Sequence, residues 1–200
     1  MLHTKGGVGK TTSCMFLAAR AARNGIPTRV VDADPQGSAM SWADRAIAAG
    51  VPLPFAVTPA NAAQVRALRS SSGELILLDI PPGTADTIDA AIEVADLVII
   101  PTGCDAAEID RVRPTLRITA TVASTVLLTR VDMRTAESTV VPAELRAEGL
   151  PLLSNFVRHG VDIKRTFSRT LPRYLGDYGD VFNELAAATG LITTTTERAR

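Results

Sequence analysis

Residues 4–13 read Thr4-Lys5-Gly6-Gly7-Val8-Gly9-Lys10-Thr11-Thr12-Ser13. The glycines allow backbone N–H groups to turn inward around a polyphosphate, Lys10 provides a positive charge for the terminal phosphates, and the Thr11 hydroxyl is placed to bind Mg²⁺. A helix that begins near Lys10 would direct its positive N-terminal end at the same anion. The usual pattern has glycine where Thr4 stands, and an additional lysine, Lys5, follows that mismatch. These residues therefore predict a phosphate-binding loop with a second lysine.

This loop resembles the KGGxGK[ST] signature of the deviant Walker A ATPases, a family that includes ParA, Soj, MinD and the nitrogenase iron protein. In that family the first lysine reaches the phosphates of the partner subunit in a nucleotide-sandwich dimer, which implies that Lys5 acts in trans. The resemblance also implies an ATPase with ATP and Mg²⁺ as cofactors. The nucleotide-binding residues it implies in this loop are Lys5, Gly6, Gly7, Val8, Gly9, Lys10, Thr11 and Thr12.

Two further segments resemble the same family. Residues 30–37 read Val-Val-Asp-Ala-Asp-Pro-Gln-Gly and are similar to its DxDPQ segment, in which Asp34 would orient or deprotonate the attacking water and Asp32 would fix the loop. Residues 75–84 place Asp79 at the end of an apolar strand, as in a Walker B motif, where it would hold the metal directly or through water. The implied catalytic residues are Lys5, Lys10 and Asp34, and the implied metal ligands are Thr11, Asp34 and Asp79.

Residues 126–132 read Val-Leu-Leu-Thr-Arg-Val-Asp, where the family's strand ends beside the nucleotide base. Many relatives carry asparagine in place of Thr129, whereas the short ParF-like plasmid partition ATPases resemble this chain in having Thr-Arg. The resemblance therefore assigns Thr129 and Arg130 to the nucleotide site. The same residues half-match the guanine-reading Asn-Lys-x-Asp of GTPases, which leaves GTP as the alternative to ATP.

Composition is consistent with a single α/β domain and excludes several classes. The 200 residues are 46% hydrophobic, enough for one substantial core, and the formal net charge is zero. Cys14 and Cys104 lack the spacing of a metal or redox motif, which favours a reduced cytoplasmic setting. No apolar stretch approaches the ~20 residues of a membrane span, and the start has no signal-peptide profile. We expect a soluble, cytoplasmic ATPase domain over residues 1–192 and a flexible tail over 193–200.

The order of apolar runs predicts a doubly wound, mostly parallel sheet flanked by helices, the P-loop NTPase fold. The predicted strands are Arg29 to Asp32, Phe55 to Thr58, Leu75 to Asp79, Leu97 to Pro101, Thr125 to Thr129 and Leu152 to Val157. The predicted helices are Lys10 to Asn24, Ser38 to Ala49, Ala60 to Ser70, Ala85 to Val94, Ala106 to Ala120, Ala136 to Glu148 and Tyr178 to Thr189. Pro114 predicts a kink or a break in its helix.

The first strand is expected to be short, because only four residues precede Lys5 whereas a strand before such a loop usually has about five or six. Two explanations stay open. Either the natural start lies upstream of Met1, or the sheet tolerates a very short central strand with Leu2 as its apolar anchor.

Basic residues concentrate in one part of the chain. Residues 111–173 contain eleven basic and five acidic side chains, so a neutral chain can present a basic face. Such a face suits sequence-independent contacts with the phosphates of duplex DNA. A scatter of solvated arginines is the alternative. The candidate DNA-binding residues are Arg158, Lys164, Arg165 and Arg169, with the segment from Arg111 to Arg117 as an alternative surface.

These features together predict a ParA-type DNA segregation ATPase for a plasmid or a chromosome. The resemblance implies a homodimer that forms with ATP, binds nonspecific double-stranded DNA and is released by hydrolysis. A centromere-binding adaptor of the ParB or ParG kind would stimulate that hydrolysis. Polymerisation, the identity of the adaptor and the DNA site stay open. We expect a cytoplasmic, nucleoid-associated protein with no membrane partner.

Two other classes of protein share the fold and the loop. A MinD-like membrane-cycling regulator needs a C-terminal amphipathic basic helix, whereas residues 191–200 offer almost no apolar face. A metabolic ATP-dependent ligase that resembles dethiobiotin synthetase should lack Lys5 and needs a substrate pocket. The sequence therefore favours the partition ATPase over both.

Overall fold

The structure, a computed structural model, describes residues 1–69, 73–160, 171–172 and 174–191. The strands are β1 (Thr28–Asp32), β2 (Ala56–Pro59), β3 (Leu75–Asp79), β4 (Val98–Thr102) and β5 (Ser124–Leu128). The helices are α1 (Lys10–Arg23), α2 (Ser38–Ala48), α3 (Ala62–Arg66), α4 (Ala85–Val94), α5 (Ala106–Ile109), α6 (Val112–Ile118), α7 (Glu137–Ala147) and α8 (Tyr178–Thr189). The first five predicted strands are confirmed to within one residue at each end.

The sheet is parallel and is joined at its centre by the first residues of the chain. β1 pairs with β2 on one side and with β3 on the other, and β4 pairs with β5. Between β3 and β4, the Met1 nitrogen donates to the Leu78 carbonyl over 2.7 Å, and Leu2 N donates to the Ile99 carbonyl over 3.0 Å. The expected short first strand is thus too short to be assigned as a strand, yet its backbone occupies that strand's position.

Helices cover both faces of the sheet, as the prediction of a doubly wound fold requires. One buried cluster contains side chains of α1, α2 and α8, and the other contains side chains of α3, α4 and α6. Neighbouring residues of β5 pack into different clusters. Leu127 belongs to the cluster that contains Phe16, and Val126 belongs to the cluster that contains Ile88. A parallel strand between two helical layers is buried on both sides, which explains the nearly continuous apolar runs.

The sixth predicted strand, Leu152 to Val157, is wrong. Only isolated bridges form there, between Leu152 and Val126 and between Arg158 and Val131. The intervening backbone is diverted, because the Glu184 carboxylate of α8 accepts hydrogen bonds from Ser154 N at 2.7 Å and Asn155 N at 2.8 Å. A charged acceptor competes well with a neutral carbonyl for these N–H groups.

Two helices also differ from the prediction. The segment 106–120 forms two helices, α5 and α6, and the break precedes Pro114. Pro114 lies in the first turn of α6. Backbone N–H groups in a first turn have no hydrogen-bond partner within the helix, so the missing N–H of proline costs nothing there. Within the predicted segment 60–70, α3 begins only after Asn61, whose side chain forms a capping box with Gln64. The other predicted helices are confirmed to within one residue at each end.

A cavity of about 450 Å³ lies at the amino ends of β3 and β4. Apolar side chains of these strands, of α4 and of α8 line it together with Met1 and Leu2. In open α/β sheets, ligands bind at the carboxyl ends of the strands. This cavity is therefore at the opposite end of the sheet from the phosphate loop and is not the nucleotide site.

Tyr178 joins α8 to the helix that follows the phosphate loop, and its hydroxyl is expected to contribute to stability. The hydroxyl lies 3.0 Å from Ser13 Oγ, and its ring contacts Phe16 with centroids 4.8 Å apart. Tyr178→Phe should lower the free energy of unfolding by about 1–2 kcal/mol, because the buried Ser13 hydroxyl loses its partner. Urea denaturation measures this.

The control is Tyr174→Phe, since Tyr174 is 81% exposed and its change should stay within about 0.5 kcal/mol. Adding Ser13→Ala to Tyr178→Phe should recover part of the loss, because neither partner is then left unpaired. Equal stability of the two tyrosine variants would contradict the proposed contribution of this hydrogen bond.

Candidate nucleotide-binding site

The phosphate loop leads directly into α1 at the carboxyl end of the sheet. Gly9 caps this helix with φ 95°, a left-handed conformation that favours glycine, and a Cβ there would lie 3.6 Å from Thr129 Oγ1. The first turn of α1 contains no acidic residue and receives no side-chain cap. Its N–H groups therefore face outward and can bind an anion.

Lys10 is buried inside this loop, where its ammonium donates to the Lys5 carbonyl over 3.2 Å. Burial lowers the pKa of Lys10, while the Asp79 and Asp34 carboxylates act in the opposite direction. A buried ammonium whose charge is only partly compensated is well suited to a polyphosphate. The structure therefore places Lys10 inside the loop, where it could reach a bound phosphate.

The end of β3 provides a fitting place for Mg²⁺. Asp79 is buried there, and one of its carboxylate oxygens has no hydrogen-bond partner among the described residues. The carboxylate accepts a hydrogen bond from the Thr11 hydroxyl. Burial raises the pKa of Asp79 to about 6, against the lowering effect of Thr11. A buried carboxylate beside a hydroxyl matches the few protein ligands that Mg²⁺ takes when phosphate and water complete its shell. Bound Mg²⁺ would neutralise charge on the phosphates.

The loop after β1 is fixed by Asp32, as predicted. Its buried carboxylate accepts from Asp34 N at 3.2 Å and from Met40 N at 2.9 Å, so it ties the start of α2 to the end of the strand. Asp34 itself is half-buried and accepts from Gln36 N at 2.9 Å. One of its oxygens is thus used by the loop. The Asp34 carboxylate is close enough to Lys10 to influence its pKa, which places it on the phosphate side of the sheet.

A pocket of about 240 Å³ opens beside the loop and is where a base or ribose would fit. Thr129 and Arg130, which the sequence assigns to the nucleotide site, line this pocket, and the Thr129 hydroxyl donates to the Val8 carbonyl over 3.0 Å and so supports the loop. Sequence reasoning missed several other lining residues, which come from distant segments. The lining residues are Gly7, Gly9, Thr12, Thr129, Arg130, Val157, Arg158, His159, Gly160 and Tyr178.

The Lys5 side chain makes a contact of its own at the edge of the loop. Its amine is 3.7 Å from an oxygen of the buried Glu108 carboxylate, and its side chain is 39% exposed. Its backbone N–H donates to His3 Nδ1 over 2.9 Å, and burial lowers the pKa of His3 to about 4, so the ring is neutral and can accept this bond. The sequence did not indicate a role for His3 or Glu108. Neither lies within a recognisable motif.

Of the four predicted DNA-binding residues, Arg158 lies within the described residues. Arg158 lines the pocket, and its guanidinium is paired with Asp177, with Nη2 2.6 Å from one carboxylate oxygen. Lys164, Arg165 and Arg169 lie outside the described residues. The tail predicted over 193–200 lies outside them as well.

The fold and this loop are those of a P-loop nucleotide-binding protein, with Lys10 buried inside the loop and Thr11 beside the buried Asp79. The chain belongs to the CobQ/CobB/MinD/ParA nucleotide-binding domain family, whose pattern matches residues 1–172. This confirms the family that the loop resembles. The chain is a ParA/MinD-type ATPase of the partition and positioning class.

Individual relatives agree with this assignment. The chain is 36% identical over 166 residues to maintenance of carboxysome distribution protein A of Gloeobacter kilaueensis, over 79% of this chain and 74% of the relative. It is 32% identical over 190 residues to the chromosome-partitioning ATPase Soj of Thermus thermophilus, over 74% of each. The solved structure of the septum site-determining protein MinD with Mg-ADP from Pyrococcus horikoshii has the same fold, with a TM-score of 0.69, 18% identity, and coverage of 94% of this chain and 93% of that one.

The raised pKa of Asp79 gives a testable dependence of stability on pH. An acid whose pKa is about 6 in the folded chain, against an ordinary 3.8, binds its proton first in the folded state. Its ionisation therefore costs stability progressively as pH rises through this window. Asp79→Asn removes that cost. The free energy of unfolding of the variant minus that of the wild type should therefore increase from about pH 4 to about pH 7.5.

Urea denaturation without nucleotide at both pH values measures this dependence. The exposed Asp89→Asn on α4 is the matched control and should show a small, pH-independent effect. An Asp79→Asn effect that is equal at the two pH values would contradict the assigned environment of the carboxylate.

Proposed function

We propose that this protein is an ATP-dependent DNA segregation ATPase of the ParA type, whose ATPase domain spans residues 1–192. ATP and Mg²⁺ would assemble a homodimer with two nucleotides at its interface, and the dimer would hold nonspecific duplex DNA until hydrolysis releases it. Hydrolysis would be slow until a centromere-binding adaptor stimulates it. The relative named chromosome-partitioning ATPase Soj supports this proposal. We place its action in the cytoplasm, on the nucleoid.

The position of Lys5 is the observation that carries this proposal. In its own chain, Lys10 already occupies the interior of the phosphate loop, whereas the Lys5 amine is directed toward Glu108 and is partly exposed. A second lysine at the rim of the loop has no evident use for the phosphates of its own subunit. It is well placed to reach those of a facing subunit, where a charge supplied across an interface stabilises the transition state of phosphoryl transfer.

The remaining catalytic roles follow from the geometry of the site. Lys10 would hold the β and γ phosphates, and the Thr11 hydroxyl and the Asp79 carboxylate would hold Mg²⁺. Asp34 would orient the attacking water, because its loop is fixed by Asp32 while one of its oxygens is not used by the Gln36 N–H. Hydrolysis then breaks the bond to the γ phosphate and removes the charge that holds Lys5 across the interface.

For the DNA surface, we favour the arginines of the segment from Arg111 to Arg117 together with the region around Arg158. Arg111 and Arg117 are exposed on or beside α6, while Arg113 forms an ion pair with Glu148. The Arg158 guanidinium is held by Asp177, so a contact with phosphate would have to share or replace that pair. Phosphate contacts of this kind would make binding independent of sequence and sensitive to salt.

A second candidate function is the positioning of a protein cargo. Its basis is the 36% identity to a relative named for the maintenance of carboxysome distribution. Both functions would use the same ATP-dependent dimer and would differ in what the dimer moves. The sequence gives a MinD-like or a ligase function less support, because residues 191–200 offer almost no apolar face and a ligase should lack Lys5. None of the helices in the described ranges combines the length and apolar character of a membrane span.

Retention on DNA with different nucleotides tests the proposal. The wild-type protein should be retained on nonspecific duplex DNA with ATP and Mg²⁺, and should elute with ADP or without nucleotide. Lys5→Ala should lose retention while it still binds a fluorescent ATP analogue, because Lys10 remains in the loop. Replacing an arginine of the proposed DNA surface should reduce the steepness of log affinity against log salt by about one unit for each phosphate contact that is lost.

Arg66→Ala is the matched control, because it also removes one cation but from surface ion pairs with Asp86 and Glu93. This variant should keep retention. If ATP does not increase retention of the wild type, the DNA segregation function is wrong, and ATP-dependent dimerisation without retention would favour the protein-cargo alternative.

A further inference from the structure

Glu108 is a buried carboxylate with three partners, and nothing above gives it a function. It lies on the short helix α5 beside the carboxyl end of β4, with a relative exposure of 6%. One oxygen, Oε2, accepts from Gly103 N at 2.6 Å and from Arg130 Nη2 at 2.5 Å. The other oxygen, Oε1, lies 3.7 Å from the Lys5 amine.

The two oxygens therefore make contacts of different strength. Both hydrogen bonds to Oε2 are short, and both are charge-assisted because the acceptor is a carboxylate. Such hydrogen bonds are stronger than those between neutral groups. The contact of Oε1 with Lys5 is an ion pair beyond hydrogen-bond distance, and Lys5 is the partly exposed partner. Lys5 can consequently leave Glu108 while Gly103 and Arg130 keep the carboxylate in place.

The carboxylate stays charged when it is in this position. Burial by itself would raise the pKa of Glu108, but the hydrogen bonds from Arg130 and Gly103 and the charges of Arg130 and Lys5 outweigh it, and the pKa is lowered. An ionised group is therefore available to attract the Lys5 ammonium at neutral pH. Most of the interactions that keep it ionised come from groups other than Lys5.

The backbone around Glu108 is shaped for this arrangement. A Cβ on Gly103 would lie 2.8 Å from Glu108 Oε2 and 3.1 Å from Arg130 Nη2, so the absence of a side chain there makes room for the ion pair. Arg130 adopts φ 55°, a conformation that is uncommon for a residue other than glycine. Arg130 also lines the pocket beside the phosphate loop. Glu108 thus contacts Arg130, which lines that pocket, and Lys5, the proposed interface lysine.

We propose that Glu108 is a positioning residue that holds Lys5 on its own subunit before the ATP-dependent dimer forms and releases it to the phosphates of the facing subunit. This inference rests on the proposed function of Lys5. The phosphates compete with Glu108 for the same ammonium, so the ion pair opposes premature dimerisation by a small free energy. An ion pair with a partly exposed partner is weak enough to be broken by a polyphosphate.

The first experiment measures the cis contact alone, without nucleotide. The three lysines of the chain, Lys5, Lys10 and Lys164, allow the rate of modification by an amine-reactive ester to be followed for each by mass spectrometry. Glu108→Gln should increase the rate at Lys5 about two- to fivefold, because its ammonium loses the nearby carboxylate. The rate at the buried Lys10 should stay unchanged and reports on folding.

Glu148→Gln is the matched control, since it removes a carboxylate that pairs with Arg113 on the surface. It should leave Lys5 unchanged. An unchanged rate at Lys5 in Glu108→Gln overturns the inference. If Lys10 also becomes reactive in Glu108→Gln, Glu108→Asp is measured instead. This variant keeps the negative charge but moves it away from Lys5. The inference then requires the same increase in the rate at Lys5.

The second experiment measures dimerisation by sedimentation with Mg²⁺ and a slowly hydrolysed ATP analogue. Glu108→Gln should dimerise at about two- to fivefold lower protein concentration than the wild type. Adding Glu108→Gln to Lys5→Ala should change nothing, because no ammonium remains to be held. A purely structural role of Glu108 would instead raise the concentration at which Glu108→Gln dimerises above that of the wild type, and that result overturns the inference.

The two possible failures are distinguishable. A wild type that stays monomeric with the analogue contradicts the proposed function itself. A wild type that dimerises, with Glu108→Gln at the same concentration, contradicts only the role of Glu108.

Discussion

The backbone of the first residues pairs with two neighbouring strands, and the position of the whole site depends on this pairing. Met1 bonds to Leu78 of β3 and Leu2 bonds to Ile99 of β4, so one short segment joins the two parts of the sheet. Because Thr4 follows directly, the phosphate loop leaves the sheet at its centre, between the ends of β3 and β4. Asp79 then lies on one side of the loop and Glu108 on the other. Asp79 ends β3, and Glu108 lies on α5, which follows β4.

These carboxylates keep the two lysines of the loop apart. Lys10 is buried and is balanced by Asp79 and Asp34, so its charge is directed at whatever binds inside the loop. Lys5 is partly exposed and is balanced by Glu108, so its charge faces the rim. Burying charges costs free energy unless partners are near, and each lysine has its own acidic partner. Binding of ATP and Mg²⁺ would satisfy the inner group first and would leave the outer one for a second subunit.

The sequence was most informative where function depends on consecutive residues. The phosphate loop, the end of β3 and the five confirmed strands follow from local patterns, since a loop that surrounds a phosphate or a strand between two helices is encoded over a few positions. It was least informative where distant residues meet. His3 and Glu108 gain their meaning only when the fold brings them to Lys5, and the sixth strand is lost because the Glu184 carboxylate takes its N–H groups. Thr129 was expected at the nucleotide and lines the pocket beside the phosphate loop. Its hydroxyl donates to the Val8 carbonyl, and no linear pattern could indicate that hydrogen bond.

Complementation between two inactive variants tests most directly whether Lys5 acts across the interface. One chain carries Lys5→Ala and the other carries Asp34→Ala, and each alone should hydrolyse ATP very slowly. In a mixed dimer, one site combines the intact Asp34 of the first chain with the intact Lys5 of the second. An equal mixture should therefore recover about a quarter of the wild-type rate, because about half of the dimers are mixed and each has one complete site. A mixture no more active than its separate components would show that Lys5 serves its own subunit, and the account of a shared site would be wrong.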